Sequence, residues 1–398
     1  MKVQKLPLFN LLFLFSLGYI YFFIFSPTLP MLSEHFQVSV GEAQLTMTIF
    51  LLGFAISQLI YAPIANAFGR KKAIYFGCIL AILGALMALY AYKINAFTFF
   101  LTARLIMAFG ACVGTVLVYT MIADVYNLKH RKIKIIYLTL MLAVMNNVAV
   151  FIGGFLLDYL GVNWIFYFLI LYAVLVLISS YFLPETAEEI NIKHLRIEVF
   201  CKKYLVALKD PRIFIFGLIS GFMAASIISF ATVAPFIMMN QMKMSATDYG
   251  TWMLVTSIGL LVGSLFARFL AGKLSDFNTI VIFSICAVVS VFVMFLVFVF
   301  GFINPYTLFF PVTVYYIFII IIFPNSAAMA IEHAVDKATS SSAFAFVYLM
   351  LATLTLFVMN ILHEKRAFAI PLNFLVFMCA IAILLVIAKG AKCDRKKT

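Results

Sequence analysis

The chain has 398 residues, of which 66% are hydrophobic and 11% charged, against about 25% charged in an ordinary soluble domain. A water-soluble fold of this length could not hide so much apolar surface. Most soluble enzymes are therefore excluded, and nucleic-acid binding is a poor reading of the formal net charge of +13.

The first apolar run, Leu6 to Leu32, follows Lys2 and Lys5. It is longer than the roughly 7–15-residue core of a signal peptide, and no small-x-small cleavage site follows it. It reads as a retained first membrane span. A bilayer core about 30 Å thick needs about 20 apolar residues per helix. Twelve such runs follow one another near 7–30, 43–66, 73–92, 96–122, 134–157, 164–183, 212–238, 250–272, 278–301, 307–331, 340–362 and 369–388. One long polar stretch, Pro184 to Pro211, divides them six and six. The expected organisation is an N-terminal six-helix bundle over 1–184, a cytoplasmic linker over 185–211, and a C-terminal six-helix bundle with a basic cytoplasmic tail over 212–398.

Lys and Arg set the orientation. With both termini inside, the cytoplasmic segments hold 23 of the 28. The outer loops hold Lys93, Lys243, Lys365 and Arg366, and Arg104 lies within a span. Such a bias is the positive-inside pattern. It accounts for the net charge through anionic lipid, with no nucleic acid and no anionic substrate required.

The two halves repeat one another weakly. Ser39-Val40-Gly41-Glu42 opens the second span with Gly53 further along; Ser245-Ala246-Thr247-Asp248 opens the eighth with Gly259 at the same offset. Pro27-Thr28-Leu29-Pro30 near the end of the first span has a counterpart at Val233-Ala234-Pro235. An internally duplicated transporter, with its substrate bound between the halves near the midplane, is the expected architecture.

The cytoplasmic end of the second span reads Ala62-Pro63-Ile64-Ala65-Asn66-Ala67-Phe68-Gly69-Arg70-Lys71-Lys72. This resembles the loop signature of the major facilitator superfamily, G-x-x-x-D-R-x-G-R-[KR]. Pro27-x-Leu29-Pro30, Gln58-Leu59-Ile60-Tyr61-x-Pro63, Arg104, Gly153-Gly154, Asn163-Trp164-Ile165-Phe166, Leu183-Pro184-Glu185-Thr186 and Phe323-Pro324-Asn325-Ser326-Ala327 follow in order. Together they resemble the Bcr/CflA type of drug:proton antiporter. The resemblance implies a major-facilitator-like fold of twelve transmembrane helices in two pseudo-symmetric six-helix bundles. It also implies an inner-membrane location, a monomer, and export of drug-like or amphipathic small molecules by proton-coupled alternating access.

The chain departs from that pattern in places. Asn66 and Ala67 stand where the loop signature has Asp and Arg, so the charge relay of this loop is expected to be weakened while Gly69, Arg70 and Lys71 remain. The fourth-span pattern R-x-x-Q-G is replaced by Arg104-Leu105-Ile106-Met107-Ala108. Val150 replaces the proline before Gly153-Gly154, and Phe23 stands where related drug antiporters often carry an acid.

Arg104 is the sharpest single residue. A guanidinium inside a span faces the protein interior or a cavity, or else snorkels to the headgroups. In the resembling family the fourth-span arginine is associated with proton coupling, so Arg104 is a coupling candidate and a cavity candidate. Arg104→Ala is expected to abolish transport with little loss of expression. Antiport also calls for a buried carboxylate, yet none of the fifteen acidic residues falls mid-membrane. Glu34 is a coupling candidate for an outer vestibule and Glu332 for an inner one; a solvated helix end is the alternative for each. A substrate that itself carries protons, or uncoupled transport, stays open.

The remaining cavity candidates are polar or aromatic residues within apolar spans: Tyr19, Phe23, Gln58, Tyr119, Asn146, Asn147, Ser226, Phe230, Asn325 and Tyr348. Interhelical hydrogen bonding is the alternative for the polar ones. No G-x-x-x-x-G-K-[ST] motif is present. The five His, at 35, 130, 194, 333 and 363, lack metal-ligand spacing. No enzyme activity, cofactor or metal is expected; the partners are a small-molecule substrate, protons by resemblance, and membrane lipid. A dedicated exporter of an endogenous metabolite such as a siderophore is the second reading. A non-transporting membrane sensor on a transporter fold, suggested by Asn66 and Ala67, is the third.

Overall fold

A computed structural model describes residues 6–187, 190–191, 204–270, 273–301, 304–332, 334, 337–362 and 369–394. Most of the linker, the segment with Glu364, Lys365 and Arg366, and the tail beyond 394 lie outside the described residues. All regular structure among the described residues is helical. Twelve helical segments there are long and apolar enough to cross a bilayer. In chain order, spans 1 to 6 are Leu8–His35, Val40–Phe68, Arg70–Lys93, Phe97–Val125, Ile133–Tyr159 and Asn163–Tyr181. Spans 7 to 12 are Pro211–Gln241, Ala246–Leu270, Asp276–Val299, Pro305–Ile331, Thr339–Ile361 and Ile370–Gly390.

The chain divides into two compact units. Unit 1 comprises Met1–Lys203 with Ser245–Gly250, and unit 2 comprises Tyr204–Met244 with Thr251–Thr398. Spans 1–6 therefore build one unit and spans 7–12 the other, except that the first turn of span 8 is counted with unit 1.

The internal repeat seen in the sequence reappears as matching geometry at spans 2 and 8. Ser39 caps span 2 in a box with Glu42, each side chain bonding the other's backbone N–H. Ser245 and Asp248 do the same at span 8, at 3.0 and 3.1 Å. Gly53 lets span 2 close on span 4, where an added Cβ would lie 3.1 Å from the Leu105 carbonyl oxygen. Gly259 does so for spans 8 and 10, with an added Cβ 3.0 Å from the Thr313 carbonyl carbon.

Proline breaks both leading spans. Span 1 is a helix over Leu8–Phe23, a 3-10 turn over Ser26–Thr28 and a short helix over Leu29–His35. Pro27 and Pro30 bring no N–H to a helical ladder, which forces the interruption. Span 7 runs as α-helix to Pro235 and then widens into a π turn over Phe236–Gln241, a form that occurs mostly as single-turn insertions in α-helices and is frequent at functional sites.

Candidate functional site

Arg104 organises the interior of unit 1. It is fully buried, which removes the snorkelling alternative. Its Nη1 donates to the Tyr21 carbonyl at 3.0 Å and its Nε to the Thr46 carbonyl at 3.3 Å, while Nη2 approaches the Met47 sulfur at 3.8 Å. The guanidinium carbon stands 4.1 Å from the ring centre of Phe25 and 4.5 Å from that of Phe50. No carboxylate lies within 4.0 Å of it among the described residues.

The break in span 1 explains how an unpaired cation is held. Tyr21 sits in the last turn of the helix Leu8–Phe23, whose final carbonyls lack intrahelical donors. That helix end also carries the negative pole of the macrodipole. Arg104 satisfies one of these carbonyls, and two aromatic faces supply the rest of its counter-charge. Aromatic contacts then continue outward from this centre: Phe50 packs on Phe22 at 5.5 Å, and Phe22 packs edge-on against Phe23 at 4.8 Å. Phe23 is thus buried beside the arginine's aromatic shell.

The other nominated residues of unit 1 fall into three groups. Tyr19 and Tyr119 share one support, the Phe15 ring, at 5.5 and 5.6 Å. Tyr119 is 39% exposed although it lies within span 4. Gln58 is buried and donates to the Thr115 hydroxyl at 3.2 Å. Asn146 and Asn147 are both buried in span 5, and the Asn146 side-chain oxygen finds no donor among the described residues.

In unit 2, Ser226 and Phe230 come together against span 10. The Ser226 hydroxyl lies 2.8 Å from the Tyr315 hydroxyl, and the Phe230 ring packs on Phe309 at 5.3 Å and on Tyr316 at 6.3 Å. Tyr348 packs edge-on against Phe323 at 5.5 Å. The Asn325 amide donates to the Ile321 carbonyl of its own helix at 2.7 Å. A separate apolar groove of about 580 Å³ lies between spans 9 and 10, lined by Val289, Val293, Phe310, Pro311 and Val314 among others. None of the nominated residues lines it, and its Ser290 hydroxyl is committed to the Ala287 carbonyl.

The loop between spans 2 and 3 keeps its grip despite the missing aspartate. Arg70 donates through Nη1 to the Asn66 side-chain oxygen at 2.6 Å and through Nε to Asp124 at 3.2 Å. The latter is the ion pair found among the described residues. Gly69 adopts φ +95°, so the chain turns between two helices where an L side chain would be strained. The Glu185 carboxylate then accepts from the Arg70 and Lys71 N–H groups at 2.9 and 3.0 Å, and from the Thr186 and Ala187 N–H groups at 2.9 and 3.0 Å. Partial burial alone would raise its pKa. The four N–H donors outweigh that and hold it below the usual carboxylate range. Lys71 reaches the Tyr181 carbonyl at 3.0 Å. Asp124 and Glu185 were not nominated from sequence. Asp124 stands alone at the end of span 4 with no motif around it, whereas Glu185 lies in a quoted motif whose partner is more than a hundred residues away.

At the other end of these helices, the first turn of span 8 packs within unit 1. The Asp158 carboxylate accepts from the Thr247 N–H at 2.6 Å and the Ala246 N–H at 3.4 Å. The Ser26 and Tyr249 hydroxyls lie 2.8 Å apart. An added Cβ on Gly154 would lie 2.7 Å from the Ala246 carbonyl carbon, and one on Gly250 would lie 2.7 Å from the Phe151 Cα. Glycine at both positions lets the two backbones touch. The coupling candidates Glu34 and Glu332 are both exposed. Among the described residues, the buried charged side chains are Arg70 and Arg104.

Comparison with known proteins places this architecture. The sequence model of the Major Facilitator Superfamily matches residues 11–358. An uncharacterized transporter of Rickettsia felis is 24% identical over 376 residues, 91% of each chain. A bicyclomycin resistance protein homolog of Haemophilus influenzae is 25% identical over 63% of this chain and 61% of its own. Multidrug resistance protein D of Escherichia coli is 24% identical over 78% of this chain and 76% of its own. Among solved structures, a D-xylose-proton symporter superposes with a TM-score of 0.75 at 13% identity, covering 95% of this chain and 96% of that one; this likeness speaks to the fold alone. A match running from the first span into the eleventh, on a twelve-span helical fold, makes the chain an integral membrane transport protein, not an enzyme, and a member of the Major Facilitator Superfamily.

Proposed function

We propose that the chain exports drug-like or amphipathic small molecules across the inner membrane by proton-coupled alternating access. The observation that carries this reading is its similarity, over most of its length, to multidrug and bicyclomycin resistance proteins. In this reading the chain is a monomer with both termini cytoplasmic. Its bundles, 1–184 and 212–398, are joined by the cytoplasmic linker 185–211. Its substrate surface draws on Tyr19, Phe23, Gln58, Tyr119, Asn146, Asn147, Ser226, Phe230, Asn325 and Tyr348, with Arg104 behind it. Aromatic faces give area without strict polar geometry, which suits varied apolar cargo. The unanswered Asn146 oxygen, costing about 1–3 kcal/mol if left dry, is a place for a donor on the cargo.

The intact Arg70 network favours a working transporter over a decayed sensor, because Asn66 still engages the arginine and Asp124 supplies the charge. The test is efflux of a preloaded fluorescent dye from pump-deficient cells expressing the chain, together with growth in chloramphenicol and bicyclomycin. Efflux that slows when the pH gradient is collapsed supports antiport. Dye retention equal to that of empty cells, with no change in drug tolerance, would refute export.

A further inference from the structure

The spans carry no buried carboxylate among the described residues, so proton sensitivity has to come from a group at a span end or from the cargo. Three carboxylates there bond to residues distant in sequence: Asp124, Glu185 and Asp158. The first two belong to the Arg70 network. Asp158 stands apart from it, at the end of span 5, and its two bonds reach 88 and 89 residues along the chain to the first turn of span 8.

We propose that Asp158 is a proton-released latch on that turn, and so a positioning residue of the transport cycle; the link to transport rests on the proton-coupled reading given above. The ionised carboxylate presents acceptors to two N–H groups that no helical carbonyl can serve, and its charge is matched to the positive pole of span 8. A proton added to Oδ2 turns the Thr247 acceptor into a hydroxyl. One hydrogen bond and the charge are lost together, and no covalent bond breaks. Asp158 is exposed, so solution protons reach it directly.

The surrounding groups favour this assignment. No cation lies within 4.0 Å of Asp158 among the described residues, so protonation is not opposed by an ion pair. Asp248, the other carboxylate on the turn, is occupied by the Ser245 N–H at 3.1 Å. Lys243 lies two residues before the turn, and span 6, which follows Asp158, carries no Asp, Glu, Lys, Arg or His. The Ser26–Tyr249 hydroxyl pair and glycine-backed van der Waals contact also hold the turn, and neither involves a carboxylate.

The experiment places a reporter, Ala246→Cys, on the capped turn in the full-length chain. Its modification by a membrane-impermeant maleimide is read by peptide mass spectrometry. Rates are taken as the ratio to the same reporter carrying Asp158→Asn, at the same external pH, which cancels the reagent's own pH dependence. The ratio should start about fivefold below one at neutral external pH and rise towards one as the external pH is lowered. Asp158→Glu should restore the low ratio at neutral pH. A ratio of one at all pH values, or a low ratio that acid does not change, would overturn the latch. In parallel, Asp158→Asn should flatten the external-pH profile of dye efflux; an efflux loss of equal size at every pH would make Asp158 merely structural. If the labelling follows Asp158 while wild-type efflux ignores the pH gradient, the latch stands and the antiport reading is what fails.

Discussion

Replacing Arg104 separates its charge from its bulk. The side chain makes two charge-assisted bonds to carbonyls, each contributing about 1.5–3 kcal/mol, and lies between two rings, each contributing about 0.5–2 kcal/mol. Against this gross gain of roughly 4–10 kcal/mol stands the desolvation of a fully buried cation, which costs several kcal/mol. The two nearly cancel. Arg104→Met keeps most of the volume and removes both terms, leaving chiefly an unserved Tyr21 carbonyl at about 1–3 kcal/mol. Arg104→Ala adds a cavity, as large-to-small core changes do, for a total loss of about 3–5 kcal/mol. The Met variant should therefore fold and insert nearly as wild type, and the Ala variant should not. This revises the sequence-based expectation that Arg104→Ala spares expression. The assay is heat-induced loss of the monodisperse peak in detergent, alongside dye efflux. A Met variant as unstable as the Ala variant would show that the cation is a net stabiliser. A Met variant with full efflux would end the case for Arg104 in transport.

Three further outcomes follow from the geometry. Gly110→Val should abolish folded protein, because an added Cβ would lie 2.6 Å from the Ala81 Cα, a clash of two backbones that rotamer changes cannot relieve; yield of monodisperse protein checks it. Asp124→Asn should weaken the Arg70 network by about 1 kcal/mol, the scale of a partly exposed pair, and Arg70→Ala in that background should add less than it does alone, as thermal stability of the double-mutant cycle will show. Glu185 has its native pKa lowered by four N–H donors, so its stabilisation is present above the unfolded value near 4.3 and is lost as pH falls through the lower native value. Glu185→Gln should cost stability at neutral pH and become indistinguishable from wild type in stronger acid, measured by unfolding at a series of pH values.

The fold was legible because membrane spans announce themselves one at a time, by length and apolar content, without knowledge of neighbours. The repeat was legible for a similar reason: the Ser39 and Ser245 boxes and the Gly53 and Gly259 contacts are local signals at matching offsets. The site was less so. Arg104 stood out because a cation in a span is rare, yet its partners are backbone carbonyls, which have no sequence signature. Asp124 compensates for Asn66 through space, from a position more than fifty residues away. Asp158 looked like any acid at a helix end, and only the fold supplies Ala246 and Thr247 as its partners. Pairings of that kind depend on where helices cross, and the order of residues along one helix does not encode it.

Holding Arg104 with peptide dipoles and ring faces has a consequence for behaviour in acid. Neither a carbonyl nor a phenyl ring takes up a proton in water, so acid does not remove the acceptors that fasten spans 1, 2 and 4 at this point. Joints built on carboxylates can slacken while this one does not. At Arg104, then, three spans are held together by groups that acid leaves untouched.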